Sequence, residues 1–195
     1  MLKKNVIEEL VRRARLQDAD FRVLYVDEAT CYRQPSVAQT WWLTGKKCPV
    51  APLSHRSNTK IRIAGVLDVR EGRIHYHLFS RCGVAELTRF WKSLASHYHN
   101  CEKVYLVMDN WPVHFHQRIW DQLKQSGRVE PVPLPTYAPW LNPIEKVWRY
   151  LKQKTIHMHA MSDDLDKLKL NIASVLDQFK SGSTEMLRYA GLCIT

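Results

Sequence analysis

Residues 104–109, VYLVMD, set four aliphatic side chains and a tyrosine in succession and stop at an aspartate. A strand that is apolar on both faces has to be covered on both, which is the position of a central strand in a layered α/β sheet. A carboxylate ending such a strand is costly to desolvate unless a cation compensates it. Asp109 is therefore a candidate site residue, and the chain carries the pattern twice. In FRVLYVDE, residues 21–28, alternation puts Val23, Tyr25 and Asp27 on one face and Leu24, Val26 and Glu28 on the other. Asp27 thus shares a face with core residues. Either aspartate alone reads equally well as a strand-end residue capping a turn; the pair points to a site.

The remaining periodicities build a sheet around these two strands. Lys60 to Val69 and Arg73 to Phe79 are β-rich runs joined through R-E-G, a connection suited to an antiparallel hairpin. Leu87, Phe90, Trp91 and Leu94 recur at helical offsets within Ala85 to Tyr98. Further helices are expected at about Phe115 to Gln125, from Asn142 and over 163–180, with a short strand at Val129 to Pro133 and another around Thr40 to Leu43. At the amino terminus, Val6, Leu10, Val11 and Leu16 give residues 2–17 an amphipathic pattern. The core order is βββαβαβα plus a C-terminal helix, the ribonuclease H-like plan: an α/β fold with a mixed five-stranded sheet flanked by helices. Residues 1–20 are read as a leading helix or linker and 21–195 as one domain.

Composition narrows the partner. With 29 Lys and Arg against 19 Asp and Glu, the net charge is +10, which favours a polyanion, nucleic acid first, over an acidic or neutral partner. The five cysteines are scattered without a C-x-x-C pair, which argues against a disulfide framework and fits a reducing cytosol. No apolar run approaches the roughly 20 residues a membrane span needs.

Cleaving a phosphodiester without a covalent intermediate requires an activated water or hydroxyl and a stabilised leaving oxygen, which two Mg²⁺ ions about 3.5–4 Å apart supply together. Such hard cations take oxygen ligands. Asp27 and Asp109 are two of them, and Glu145 is the candidate third. Asn142-Pro143-Ile144-Glu145 also reads as an N-cap, a proline at the first helical position and a capping-box glutamate. In the helix that follows, Ile144, Val147, Trp148 and Leu151 form the buried stripe, and Glu145, Arg149 and Lys152 share a polar face. Lys146, Arg149, Lys152 and Lys154 are candidate phosphate contacts, and Trp140 is a candidate stacking residue.

VDE near the start, VMDNWPVH in the middle and LPTYAPWLNPIEKVWRYLKQK later resemble the mariner-type DDE transposases, in particular their bacterial insertion-sequence branch. The 35 residues from 110 to 144, which separate Asp109 from Glu145, suit that group's second interval. The resemblance covers most of residues 22–155. It implies that Asp27, Asp109 and Glu145 are the catalytic carboxylates and metal ligands, for two Mg²⁺ ions with Mn²⁺ as substitute. It further implies that Asn110, His114 and Asn142 shape the pocket or touch DNA, and that Trp41 or Trp42 with Gly45 matches a W-x-x-x-G element. The reaction implied is DNA cleavage and strand transfer at insertion-sequence ends, on double-stranded DNA, by a cytoplasmic, nucleoid-associated homodimer. One departure stands out: the stretch before residue 22 is too short for the helix-turn-helix modules that read transposon ends, so a separate end-binding chain is expected. The competing readings are a truncated or domesticated fragment that binds nucleic acid without cutting, and a stand-alone nuclease. Four H-x-H pairs, at 75/77, 97/99, 114/116 and 157/159, raise zinc, but no cysteine or H-E-x-x-H accompanies them.

Overall fold

A computed structural model of the chain describes residues 2–16, 20–37, 39, 43–45, 47, 50–81, 83–110, 116, 117, 119, 121, 127–136 and 138–192. The strands are β1 (Phe21–Tyr32), β2 (Lys60–Asp68), β3 (Ile74–Phe79), β4 (Lys103–Met108) and β5 (Val129–Pro133). They form one sheet in the order β3-β2-β1-β4-β5. β1 pairs antiparallel with β2 and parallel with β4, β2 pairs antiparallel with β3, and β4 pairs parallel with β5. The sheet is mixed, as expected. Its described helices are α1 (Leu2–Ala14), α2 (Val84–His97), α3 (Ile144–Thr155), α4 (Leu165–Asp177) and α5 (Thr184–Ala190).

The two faces of the sheet support two separate cores. Val23, Tyr25 and Ala29 of β1 and Val107 of β4 pack with Val147, Trp148 and Leu151 of α3 and Ile172 of α4. Leu24, Val26, Leu106 and Met108 pack with Leu87, Phe90, Trp91 and Leu94 of α2. β4 contributes to both, as its continuous apolar run requires. Pro131 and Pro133 are tolerated in β5 because it is an edge strand, where a missing N–H interrupts no second ladder.

The hairpin joining β2 to β3 closes through Gly72, whose φ of +66° falls in the left-handed region. A Cβ there would sit 2.2 Å from the Ser183 carbonyl oxygen, so the turn also seats the entry to α5. Beneath it, Asp68 is fully buried. Its Oδ2 accepts from Tyr98 Oη at 3.0 Å and its Oδ1 from the Arg70 amide at 2.8 Å, while Arg22 Nε lies 3.8 Å from Oδ2.

Several expectations are corrected. The inward stripe of α1 is Ile7, Leu10, Val11 and Ala14, while Val6 and Leu16 are exposed; the spacing i, i+3, i+4, i+7 is the one that keeps a single face. β1 runs four residues past Glu28 because β2 stays beside it to Tyr32↔Lys60. The last helix is shorter than 163–180: Asp164 accepts from Lys167 N at 2.8 Å and starts α4 at Leu165. A further helix, α5, follows, capped by Ser183 and ended by Gly191 at φ +75°. The strand expected around Thr40 to Leu43 lies mostly outside the described residues. So does the helix expected at Phe115 to Gln125, of which Ile119 is described and fully buried on the α2 face.

Tyr98→Phe removes a donor from a buried carboxylate and is expected to cost about 1–3 kcal/mol in urea unfolding at pH 7. A change below about 0.5 kcal/mol, the range of neutral surface substitutions, would refute that role.

Candidate active site

Asp27 lies on β1 directly across from Gly65 of β2, with its side chain on the α3 face. The missing side chain at Gly65 leaves room for Trp148: a Cβ there would stand 2.3 Å and 2.7 Å from two indole ring carbons. Trp148 Nε1 donates to Asp27 Oδ2 at 2.9 Å. Burial raises the Asp27 pKa most, followed by repulsion from Glu145 and then Glu28. The Glu28 amide and the indole oppose the rise, and the net effect pushes it up to about 7. The ionised neighbours facing this carboxylate are thus anionic, a setting that a bound cation relieves.

Asp109 follows the last residue of β4 and its side chain is exposed. The parallel ladder ends at Tyr25↔Val107, and two residues beyond that pair on each strand stand Asp27 and Asp109. Asn110, also exposed, donates from Nδ2 to the Leu134 carbonyl at 3.2 Å, which ties the chain after β4 to the chain after β5.

Glu145 is exposed in the first turn of α3. The expected capping box is not formed: Pro143 is the N-cap residue, with no side-chain cap. Asn142 is 5% exposed and donates from Nδ2 to the Val26 carbonyl at 3.2 Å, while its Oδ1 has no hydrogen-bond partner among the described residues. A tertiary acceptor on β1 has displaced the local cap. The structure therefore brings Glu145 to Asp27, close enough to repel it. Among the described residues, however, no three His, Cys, Asp or Glu side chains are grouped tightly enough to hold a metal ion, so Asp109 does not join the other two in such a group.

The cations of α3 differ in their surroundings. Lys146 Nζ donates to the Ala190 carbonyl at 3.0 Å, Lys152 lies near the Cys31 thiol, and Lys154 sits 5.7 Å over the Tyr150 ring. Arg149 is exposed and has no side-chain partner among the described residues. Trp140 is 77% exposed on the 3₁₀ turn Pro139–Leu141 just before Asn142. His114, Trp41 and Trp42 lie outside the described residues; Gly45 turns with φ +79°. Of the H-x-H histidines, His75 and His97 meet with ring centroids 4.2 Å apart. His75 Nε2 bonds Tyr98 Oη, and Arg73 donates to His97 Nε2; burial, His97 and Arg73 push the His75 pKa down to about 4.

Trp148 as a donor to Asp27, and Gly65 as its complement, went unread in the sequence. A tryptophan at a stripe position counts as core, and the one available signal was a glycine inside a β-rich run, which marks close approach.

The model of the DDE superfamily endonucleases matches residues 22–169. The chain belongs to that family. A curated relative, the insertion element IS630 uncharacterized 39 kDa protein of Shigella sonnei, is 25% identical over 151 residues, which are 77% of this chain and 43% of that protein. Among solved structures, the Mos1 mariner paired end complex with Mn has a TM-score of 0.65 at 17% identity, covering 97% of this chain and 57% of that one. The Mos1 catalytic domain has a TM-score of 0.58 at 16% identity, covering 97% and 85%. The fold is that of ribonuclease H-like transposase catalytic domains, and within the family the likenesses are to the mariner and IS630 type of transposase. The chain spans less than half the length of the IS630 relative.

The raised Asp27 pKa has a consequence for stability. The folded chain holds this proton to about pH 7, the unfolded chain only to about pH 4, so without metal the folded state loses stability as pH rises through that window. In EDTA, the melting temperature of Asp27→Asn minus that of wild type should grow by a few °C or more between pH 4.5 and pH 7.5, at roughly 2–4 °C per kcal/mol. A difference independent of pH would show that Asp27 is not perturbed.

Proposed function

We propose that this chain is the catalytic domain of an insertion-sequence transposase, cutting DNA strands at the element's ends and joining the freed 3′-hydroxyl to target DNA. Asp27, Asp109 and Glu145 are assigned as the catalytic, metal-holding carboxylates for two Mg²⁺ ions, with Mn²⁺ able to substitute. The observation that carries this reading is the half-buried Asp27 carboxyl repelled by Glu145 of α3, with Asp109 just past the adjoining strand. The donor set is all oxygen, as hard divalent cations require. Mos1, which shares the fold, has been solved in a paired end complex with Mn and, separately, in a strand transfer complex.

Asp27, Asp109 and Glu145 would hold divalent ions, which when bound would supply Lewis-acid activation of the attacking oxygen and stabilisation of the leaving one. The chain's own residues hold and surround the reacting phosphate. Asp27 presents its carboxylate from a rigid strand, and Glu145 closes the site from the first turn of α3. Arg149 and, with it, Lys146, Lys152 and Lys154 neutralise neighbouring phosphates. Asn110, His114 and Asn142 shape the pocket around the ions and the scissile strand. The protein acts on double-stranded DNA as a homodimer, because two ends must be handled together.

Cleavage of labelled duplex DNA in Mg²⁺ and in Mn²⁺ tests this. Asp109→Ala and Glu145→Gln, compared with wild type at matched DNA affinity, should each lose at least about 100-fold in rate, the equivalent of ~2.7 kcal/mol of transition-state stabilisation. Wild-type protein that neither cuts nor binds Mn²⁺ in calorimetry would replace this reading with the binding-only one. Cutting without joining would make the protein a nuclease. Arg149→Ala should lower the slope of log K against log salt by about 1 with no change in sequence preference; an unchanged slope removes Arg149 from the interface.

A further inference from the structure

We propose that Trp148 is a positioning residue for the Asp27 carboxylate, and that residue 65 is glycine because the indole occupies the space a side chain would take. The inference rests on the reading of Asp27 as a metal-holding carboxylate.

Trp148 is 2% exposed, and the other buried aliphatic positions of its helix are Ile144, Val147 and Leu151. Packing alone would be met there by an apolar side chain, which carries no polar atom needing a partner. An indole adds one donor, and that donor ends 2.9 Å from Asp27 Oδ2. Trp91, equally buried on the opposite face, has no acceptor for its Nε1 among the described residues, so the match of indole and acceptor at Trp148 is particular to that position.

The carboxylate end of an aspartate rotates in a broad, soft well, so a single directional donor narrows it. A neutral donor also does what Lys or Arg in its place would not: it orients the carboxylate without neutralising the charge that a cation needs. Second partners of this kind set ligand orientation at metal sites generally.

The geometry is reinforced from both sides. Glu145, on the exposed side of α3, and Trp148, on its buried stripe, are three residues apart and so neighbours on the helix, which lets α3 set both an anionic group and an orienting donor toward Asp27. One residue back along β1, Asn142 Nδ2 holds the Val26 carbonyl at 3.2 Å. The turn into α3 and the second turn of α3 thus grip consecutive β1 residues. Gly65 completes the arrangement: a Cβ at 2.3 Å and 2.7 Å from the ring would force the indole, and its N–H, away.

Trp148→Phe keeps an aromatic ring and removes the N–H. Replacement of Trp148 by benzothienylalanine, with sulfur in place of the N–H, keeps the full bicyclic shape should the phenylalanine variant fail to fold. Gly65→Ala displaces the ring from the other side. Calorimetry on the full metal-free chain is expected to show Mn²⁺ affinity reduced about 10–100-fold in the sulfur analogue, with DNA affinity in EDTA and the melting temperature near wild type. Cleavage should recover part of its rate when Mn²⁺ is raised. Wild-type Mn²⁺ affinity in the sulfur analogue would overturn the proposal and leave Trp148 a packing residue. Asp27→Asn, measured alongside, separates the two readings: if it keeps wild-type Mn²⁺ affinity and cleavage, the assignment of Asp27 itself fails.

Discussion

Because β1 and β4 run parallel, their carboxyl ends finish at the same end of the sheet, and both strands must be covered on both faces. Those two consequences organise the molecule. Coverage calls for α2 on one side and α1, α3, α4 and α5 on the other. The shared direction means that Asp27, in the middle of β1, and Asp109, just past β4, each stand two residues beyond the last paired residues, Tyr25 and Val107. α3 is the element that builds on this arrangement, since it lays the Trp148 ring against β1 and brings Glu145 near enough to Asp27 to repel it.

Such a site sits uneasily in a stable domain. A half-buried aspartate beside a second carboxylate opposes folding above neutral pH in the absence of a cation, and the buried Asn142 Oδ1 lacks a partner among the described residues. Features of this kind concentrate where a protein has to act rather than merely fold. At the other end of the sheet the buried Asp68 follows the opposite logic. There Tyr98, the Arg70 amide and Arg22 surround the carboxylate, and nothing is left for a ligand to complete.

Much of this was readable in advance, and what escaped has identifiable causes. Strand identity came from alternation and from continuous apolar runs, signals that survive folding because they reflect which faces are buried. The position of Asp109 just past β4 followed from the same signals, whereas Asp27, read near a strand end, lies mid-strand because β1 continues to Tyr32. The α1 stripe was misphased because Val6 and Leu16 are apolar yet exposed. α5 has only seven residues, too few for periodicity, and its boundaries were marked solely by Ser183 and Gly191. Asn142 was misread because a local cap is visible in sequence, whereas the Val26 carbonyl that claims its side chain lies 116 residues away. The pairing of Trp148 with Gly65 is of the same type. Each residue has an ordinary explanation by itself, and only the register of β1 on β2 makes them complementary.

The prolines of β5 have a bearing on assembly. An unprotected sheet edge offers rows of amide and carbonyl groups to any other strand, and proteins concentrated side by side are most exposed to such fusion. Pro131 and Pro133 take two amides out of β5, so a second copy brought against this edge meets a strand that cannot propagate a continuous ladder. On that side crowding does not turn separate sheets into one, and contacts between copies there are left to side chains.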